Sequence, residues 1–341
     1  MTSAGLQEAQ VFWARGTEET GSGGDGAGAA RPGTQPGSPE PRDRLLRALQ
    51  SHFGEPLEGF DFEVLSRPSV DDGALVLHVR DAAGATRGVV LLSPPAYPSA
   101  VERAMGGATL AAAALGPELG RHVLTPLAQG RVDGRSYAVL PHCRLLRRTR
   151  GLVLLDDLRM QPVIRDWLRQ ATRATLQPAD PRTAESFRAR LVHVAGHDAL
   201  DAPLRAAAAH ALARLESGAW APRHVLMHGD LWRGNILLRP RGEAEGERRR
   251  SERFVVVDWP GAVRDGYAIF DLVRLALSMH SPRRAFAVEV GRHCEILGCE
   301  REDALGYLLA AIGHIGLSLG RFPVVRYARM ARECHDALVA R

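Results

Sequence analysis

The chain contains no lysine: all 44 of its basic side chains are arginine. Any site that relies on a lysine point charge is therefore missing or rebuilt on a guanidinium, which is not an equivalent group. The uniform use of arginine reads as a composition bias, and the arginines are interspersed with 39 acidic residues. The net charge of +5 consequently gives no basis for expecting a nucleic-acid partner. The densest run, Arg248 to Arg250, sits among Glu243, Glu245, Glu247 and Glu252 and reads as a solvated mixed-charge loop. Long apolar runs are also missing, so no membrane span is expected. The N-terminus has neither the basic start nor the apolar stretch of a secretory signal, and a cytoplasmic protein is expected. The four cysteines form no CxxC pair and no zinc cluster, which points to reduced thiols. Cys294 and Cys299 lie in an expected helix, where a spacing of five does not put both thiols on one face.

What is present is enough apolar content, 45%, for about two domains. Residues 1–43 read as an extension. Its stretch from Gly16 to Arg42 is Gly, Pro, Ser and Glu with little to bury, so disorder is expected there. "RDRLLRALQSHF" then spaces Leu45, Leu46 and Leu49 as an amphipathic helix. Residues 44–142 read as a small mixed lobe. The runs "FDFEVLS", "ALVLHVRD", "RGVVLLSP", "HVLTPLAQG" and "RSYAVLPH" predict antiparallel strands, and "PSAVERAMGGATLAAAAL" predicts one helix weakened by Gly106 and Gly107. Residues 143–341 are helical by apolar spacing except between His224 and Trp259. The fold class expected is α+β, with a small antiparallel β lobe followed by a larger, mainly helical one interrupted by a β-hairpin.

That exception reads "HVLMHGDLWRGNILL", a polar loop between two apolar runs. After a charged insertion, "FVVVDWPGA" returns as a strand that emerges from the core at Asp258. Pairing of Ile236 with the Val257 strand brings Asn235 and Asp258 to one end, with Asp230 on the same rim. Two carboxylates and an amide at one edge suit phosphoryl transfer. One Asp takes the proton of an attacking hydroxyl, while an Asn and a second Asp offer hard oxygens to Mg²⁺ on a nucleoside triphosphate. Taken singly, each of these residues could be no more than a turn former or cap. Trp232, Trp259 and Phe270 read as packing residues. Asp156 and Asp157 read as a helix or turn start, or as a carboxylate toward the acceptor.

The combination HGD-x4-N, a VDW strand end and G-x4-D ("GYAIFD") resembles the aminoglycoside phosphotransferase and choline kinase-like family, over residues 225–278. The lobe order is similar over residues 44–341. The resemblance implies a bilobal protein-kinase-like fold and an ATP- or GTP-dependent enzyme that phosphorylates a hydroxyl of a small molecule. An aminoglycoside-like compound, a sugar or an amino alcohol is the implied acceptor. By the same resemblance, Asp230 is the catalytic base, Asn235 and Asp258 are Mg²⁺ ligands, and His228 and Asp271 brace the loop. The family's strand lysine has no counterpart, since its slot falls near Leu91 or Leu92. Arg87, at the start of that strand, is the expected substitute at the phosphates, with Arg80 at the end of the previous strand as the alternative, and Glu102 is the expected helix glutamate. "SRPSVDDGAL" is a poor phosphate loop, with a single glycine beside Asp71 and Asp72. The alternative class is a pseudokinase, a nucleotide-binding scaffold lacking the lysine.

Overall fold

The computed structural model describes residues 41–53, 59–66, 73–146, 150–240, 253–259, 261–320 and 322–339. The N-terminal extension, most of the phosphate-loop stretch and the charged insertion with Arg248 to Arg250 lie outside the described residues. The chain divides into two compact units, Met1–Met105 with Pro126–His142, and Gly106–Thr125 with Cys143–Arg341.

The smaller unit is built on helix α1 (Pro41–Phe53) and strands β1 (Asp61–Ser66), β2 (Leu75–Arg80), β3 (Thr86–Leu92), β4 (Ala128–Val132) and β5 (Arg135–Leu140). These strands form one antiparallel sheet in the order β1-β2-β3-β5-β4. Strand alternation decides its core. Leu77 and Val79 of β2, Val90 and Leu92 of β3, and Tyr137 and Val139 of β5 share one face and bury against Leu45 and Leu49 of α1. Val89 and Leu91 fall on the opposite face, and Arg87 sits where the β2–β3 register shifts, between the pairs Val79–Gly88 and Arg80–Thr86.

Helix α2 (Ala100–Gly120) begins in the smaller unit and ends in the larger. It runs unbroken through Gly106 and Gly107 and kinks instead at Gly116, where φ is 70°, just before Pro117. Gly107 marks a close approach rather than a weakness. A Cβ there would sit 2.1 Å from the carbonyl oxygen of Trp259, so only glycine lets this helix lie against the chain beside Asp258.

The larger unit contains β6 (Arg144–Leu145), α3 (Arg150–Ala174), α4 (Pro181–Ala195), α5 (Ala202–Glu216), β7 (Val225–Met227), β8 (Ile236–Leu238), β9 (Phe254–Val256) and β10 (Val263–Gly266). Four helices follow: α6 (Phe270–Ser278), α7 (Arg283–Leu297), α8 (Asp303–Leu317) and α9 (Val324–Val339). Helix α8 is the most buried, with Tyr307 to Ile312 sealed between α4, α5 and α9. The α+β class is as expected, with an antiparallel sheet in the first part and helices in the second. Two details differ from the sequence reading. The strand entering the polar loop, β7, pairs with β10 and not with β8, so the larger unit holds two small sheets. Helix α7 stops at Leu297 because Gly298 turns left-handed, and the chain folds back. The Cys299 N–H then reaches the Cys294 carbonyl at 3.1 Å and the two thiols meet in a hydrogen bond. A continuous helix would have kept them apart.

Candidate active site

Strands β8 and β9 pair antiparallel with Ile236 opposite Val256, and the Val257 N–H donates to the Asn235 carbonyl at 2.9 Å. This register brings Asn235 and the turn holding Asp258 to the same end of the hairpin. Residues 228–235 form an irregular loop closed by a short 3₁₀ turn, Arg233–Asn235.

Because the loop cannot use sheet bonds, its N–H groups need other acceptors. Asp271, on the first turn of α6, supplies them. Its carboxylate accepts the N–H of His228 at 2.7 Å and of Gly229 at 3.0 Å, with that of Leu231 beside them. Burial pushes the Asp271 pKa up to about 6 against those bonds. Gly229 turns with φ 84°, and a Cβ there would also press on the Gly261 carbonyl at 3.2 Å.

His228 ties the loop to the neighbouring strand end. The Asp230 N–H donates to its Nδ1 at 3.2 Å, so Nε2 carries the proton and donates to the Val257 carbonyl at 3.0 Å. The ring packs on Trp259 at 4.4 Å between centroids. Burial lowers its pKa to about 4. The unfolded chain takes up this proton near its ordinary value, about 6.5, whereas the folded chain does so only near 4. The contribution of His228 to stability is therefore complete above pH ~6.5 and falls as pH drops through the window below it, at about 1.4 kcal/mol per unit. Nitrogen-15 NMR of the imidazole should show the Nε2–H tautomer and no titration between pH 8 and 5. A titration near 6.5 would contradict this placement.

Asp230 lies half exposed, and Arg274 of α6 donates from Nη2 to its Oδ1 at 3.0 Å. Burial raises its pKa and the Arg274 charge opposes the rise. Asn235, the only asparagine of the chain, is 1% exposed. Its Nδ2 donates to the Asp230 carbonyl at 3.0 Å, while its Oδ1 is buried with no hydrogen-bond partner among the described residues. A buried amide oxygen left unsatisfied is costly unless a ligand completes it. Asp258 sits at φ 65°, a left-handed conformation rare for a side chain other than glycine. Its pKa is raised to about 6, first by burial and then by the nearby charge of Asp230. No described residue pairs with its carboxylate. Among the described residues no cluster of three or more His, Cys, Asp or Glu side chains forms a metal cage. An amide oxygen and one or two carboxylates instead suit a hard cation that takes its remaining oxygens from phosphate or water.

The sequence-derived residues of the larger unit, His228, Asp230, Asn235, Asp258 and Asp271, are thus brought together. Trp259 is buried and its indole N–H bonds the Val256 carbonyl at 3.0 Å, while Phe270 is fully buried. In the smaller unit Arg87 faces Asp81 at 3.6 Å, and Glu102 is engaged by Arg131. Arg80, its neighbour on β2, is held by Glu63. Three partners escaped the sequence reading: Arg274; Ser278, whose Oγ accepts the Arg233 N–H at 2.9 Å; and Arg233, whose Nε donates to the buried Asp157 at 2.8 Å. Asp157 thus anchors the loop through its Oδ1, while its Oδ2 is buried with no hydrogen-bond partner among the described residues.

No family model matches the sequence, and no curated protein does. Comparison with solved structures finds similarity to choline kinase LicA from Streptococcus pneumoniae, at 11% identity and TM-score 0.48 over 87% of this chain and 98% of that one. A choline/ethanolamine kinase family protein from Mesorhizobium loti is similar at 14% identity and TM-score 0.47, over 88% and 98%. An aminoglycoside-3'-phosphotransferase of type VIII is similar at 21% identity and TM-score 0.42, over 80% and 98%. No helix among the described residues is long and apolar enough to cross a membrane.

Proposed function

We propose that this protein is a phosphotransferase that moves the terminal phosphoryl group of ATP or GTP to a hydroxyl of a small molecule. The acceptor class is an aminoglycoside-like compound, a sugar or an amino alcohol. The observation that carries the reading is the unpartnered oxygen pair, Asn235 Oδ1 and the Asp258 carboxylate, beside a braced Asp230. Asn235 and Asp258 would hold Mg²⁺. Bound there, it would offset the charge of the triphosphate during transfer.

Asp230 accepts the proton of the acceptor hydroxyl. Arg274 holds the carboxylate through its Oδ1. The freed oxygen attacks the terminal phosphorus, the bond to the bridging oxygen breaks, and the nucleoside diphosphate leaves. His228, Asp271 and the Arg233–Asp157 pair fix the loop so that Asp230 need not reorganise as the bond forms. Consumption of ATP or GTP across a panel of hydroxyl compounds tests the reading. Acceptor-dependent turnover in the wild type that falls by about a hundredfold or more in Asp230→Asn supports it, and turnover that stays at the wild-type rate in the variant contradicts it.

Arg87 is the proposed phosphate contact in place of the missing lysine, with Glu102 set by Arg131. Arg87 is half exposed and stands 3.6 Å from the largely covered Asp81, a contact too long for a hydrogen bond. Arg87→Ala is expected to weaken ATP binding by about 1–3 kcal/mol, the weight of a charge-assisted hydrogen bond. Arg80→Ala, measured by the same titration, should do less. A second reading, a nucleotide-binding scaffold without catalysis, is favoured only by the absence of lysine. It requires nucleotide binding together with no turnover on any acceptor.

A further inference from the structure

Helices α3 and α7 border two adjoining, solvent-open hollows of about 590 and 390 Å³ that share Arg169 and Arg292 in their walls. Arg165, Arg169 and Arg173 recur at intervals of four along α3, which stacks them on one face of the helix. Arg284 and Arg292 of α7 lie across from them. The sequence reading treated these arginines as scattered, but packing gathers them.

Only part of this charge is answered by the protein. Glu289, 4% exposed on its side chain, takes Arg169 at 2.9 Å and Arg292 at 3.3 Å, and Asp166 holds Arg169 from the other side. His293 also faces Glu289 at 3.7 Å. Glu295 stands in the wall of the larger hollow. Arg165 spends one donor on the Gln161 carbonyl at 3.3 Å. Arg173 and Arg284 have no hydrogen-bond or ion-pair partner among the described residues. Five cations facing a concavity against three acids repel one another unless an anion is present. Arg169, fixed on two sides by Glu289 and Asp166, is a rigid part of the wall, and the unanswered charge is that of Arg173 and Arg284.

We infer that the α3–α7 groove is a binding site for a small organic polyphosphate, with Arg173, Arg284 and Arg292 as its movable clamps around the fixed Arg169. The larger hollow has the size of a small-molecule site, and Leu176 and Ile296 give it an apolar wall for the organic part. Guanidinium groups match phosphate oxygens with paired donors. Asp157, which anchors the phosphoryl-transfer loop, lies on the same helix, five residues before Pro162 at the near end of the groove and sixteen before Arg173 at its far end, or roughly 8 and 24 Å along the axis.

Calorimetric titration of the full chain with inorganic tripolyphosphate in EDTA tests the assignment, because chelation disables any metal-dependent nucleotide site. Saturable binding is expected in the wild type, weakened at least tenfold in Arg173→Gln and in Arg284→Gln. Both side chains are exposed and unpartnered, so their loss should leave the fold intact by circular dichroism. Asp258→Ala, at the other site, and Arg182→Gln, an exposed arginine on α4, should each change affinity less than twofold. Four results would overturn the proposal. They are no saturable binding, an equal loss in Arg182→Gln, a loss confined to Asp258→Ala, and binding to phosphatidic acid vesicles without binding to tripolyphosphate.

Discussion

Asp230→Asn should lower turnover by about 10²–10⁴, the weight of a positioned general base, while nucleotide affinity stays within about twofold. The amide keeps the size and most of the hydrogen bonding of the carboxylate. It cannot take a proton from the acceptor hydroxyl. The loop itself should survive, because its bracing bonds run to other groups: the N–H of residue 230 donates to His228 Nδ1, and its carbonyl accepts from Asn235 Nδ2. Arg274 can still donate to the amide oxygen, and the removed negative charge relieves Asp258 of a repulsive neighbour. Single-turnover measurement with saturating acceptor and nucleotide separates this chemical loss from a binding loss. Wild-type turnover in the variant would remove Asp230 from the role of base.

The second large effect is expected at Asp271. Asp271→Ala leaves the buried N–H groups of His228, Gly229 and Leu231 without their shared acceptor. Each unsatisfied group costs about 1–3 kcal/mol, partly offset because a buried carboxylate no longer has to be desolvated. A net loss of about 2–4 kcal/mol in unfolding free energy is expected, along with lost turnover at temperatures where the variant is still folded. Asp271→Asn should not rescue it. One face of the amide presents donors to donors where the carboxylate offered two oxygens. Denaturant unfolding of both variants at pH 7 measures this. A change below ~0.5 kcal/mol in each would mean that the loop does not depend on Asp271.

These side chains were legible in the sequence to different degrees. His228, Asp230 and Asn235 stood out because a polar loop between apolar runs must account for its residues. Asp258 stood out because an all-apolar strand ended on a carboxylate. The pairing of Ile236 with the Val256 strand followed from strand polarity alone. Arg274, Ser278 and the Arg233–Asp157 pair did not stand out. Arg274, Ser278 and Asp157 sit on helices 44 to 76 residues from their partners in the loop, and an arginine on a helix face looks the same whether it meets solvent or a carboxylate. The β7–β10 pairing was hidden because both strands are short and β10, "VRDG", carries no apolar alternation. It depends on Gly266, where a Cβ would meet Met227 at 2.3 Å. The α3–α7 arginines show the same limit at the level of a surface, since their spacing is local while their convergence is tertiary.

The most direct measurement is a calorimetric titration of the wild-type chain with ATP, with and without Mg²⁺, repeated with Asp258→Ala. Among the described residues, the buried Asn235 Oδ1 has no hydrogen-bond partner and the Asp258 carboxylate, held in a left-handed turn, is unpaired. If that arrangement exists to hold a cation on the triphosphate, Mg²⁺ should tighten wild-type binding by at least tenfold and do nothing for the variant. Equal affinity with and without Mg²⁺ in the wild type, or unchanged Mg²⁺ dependence in Asp258→Ala, would contradict it.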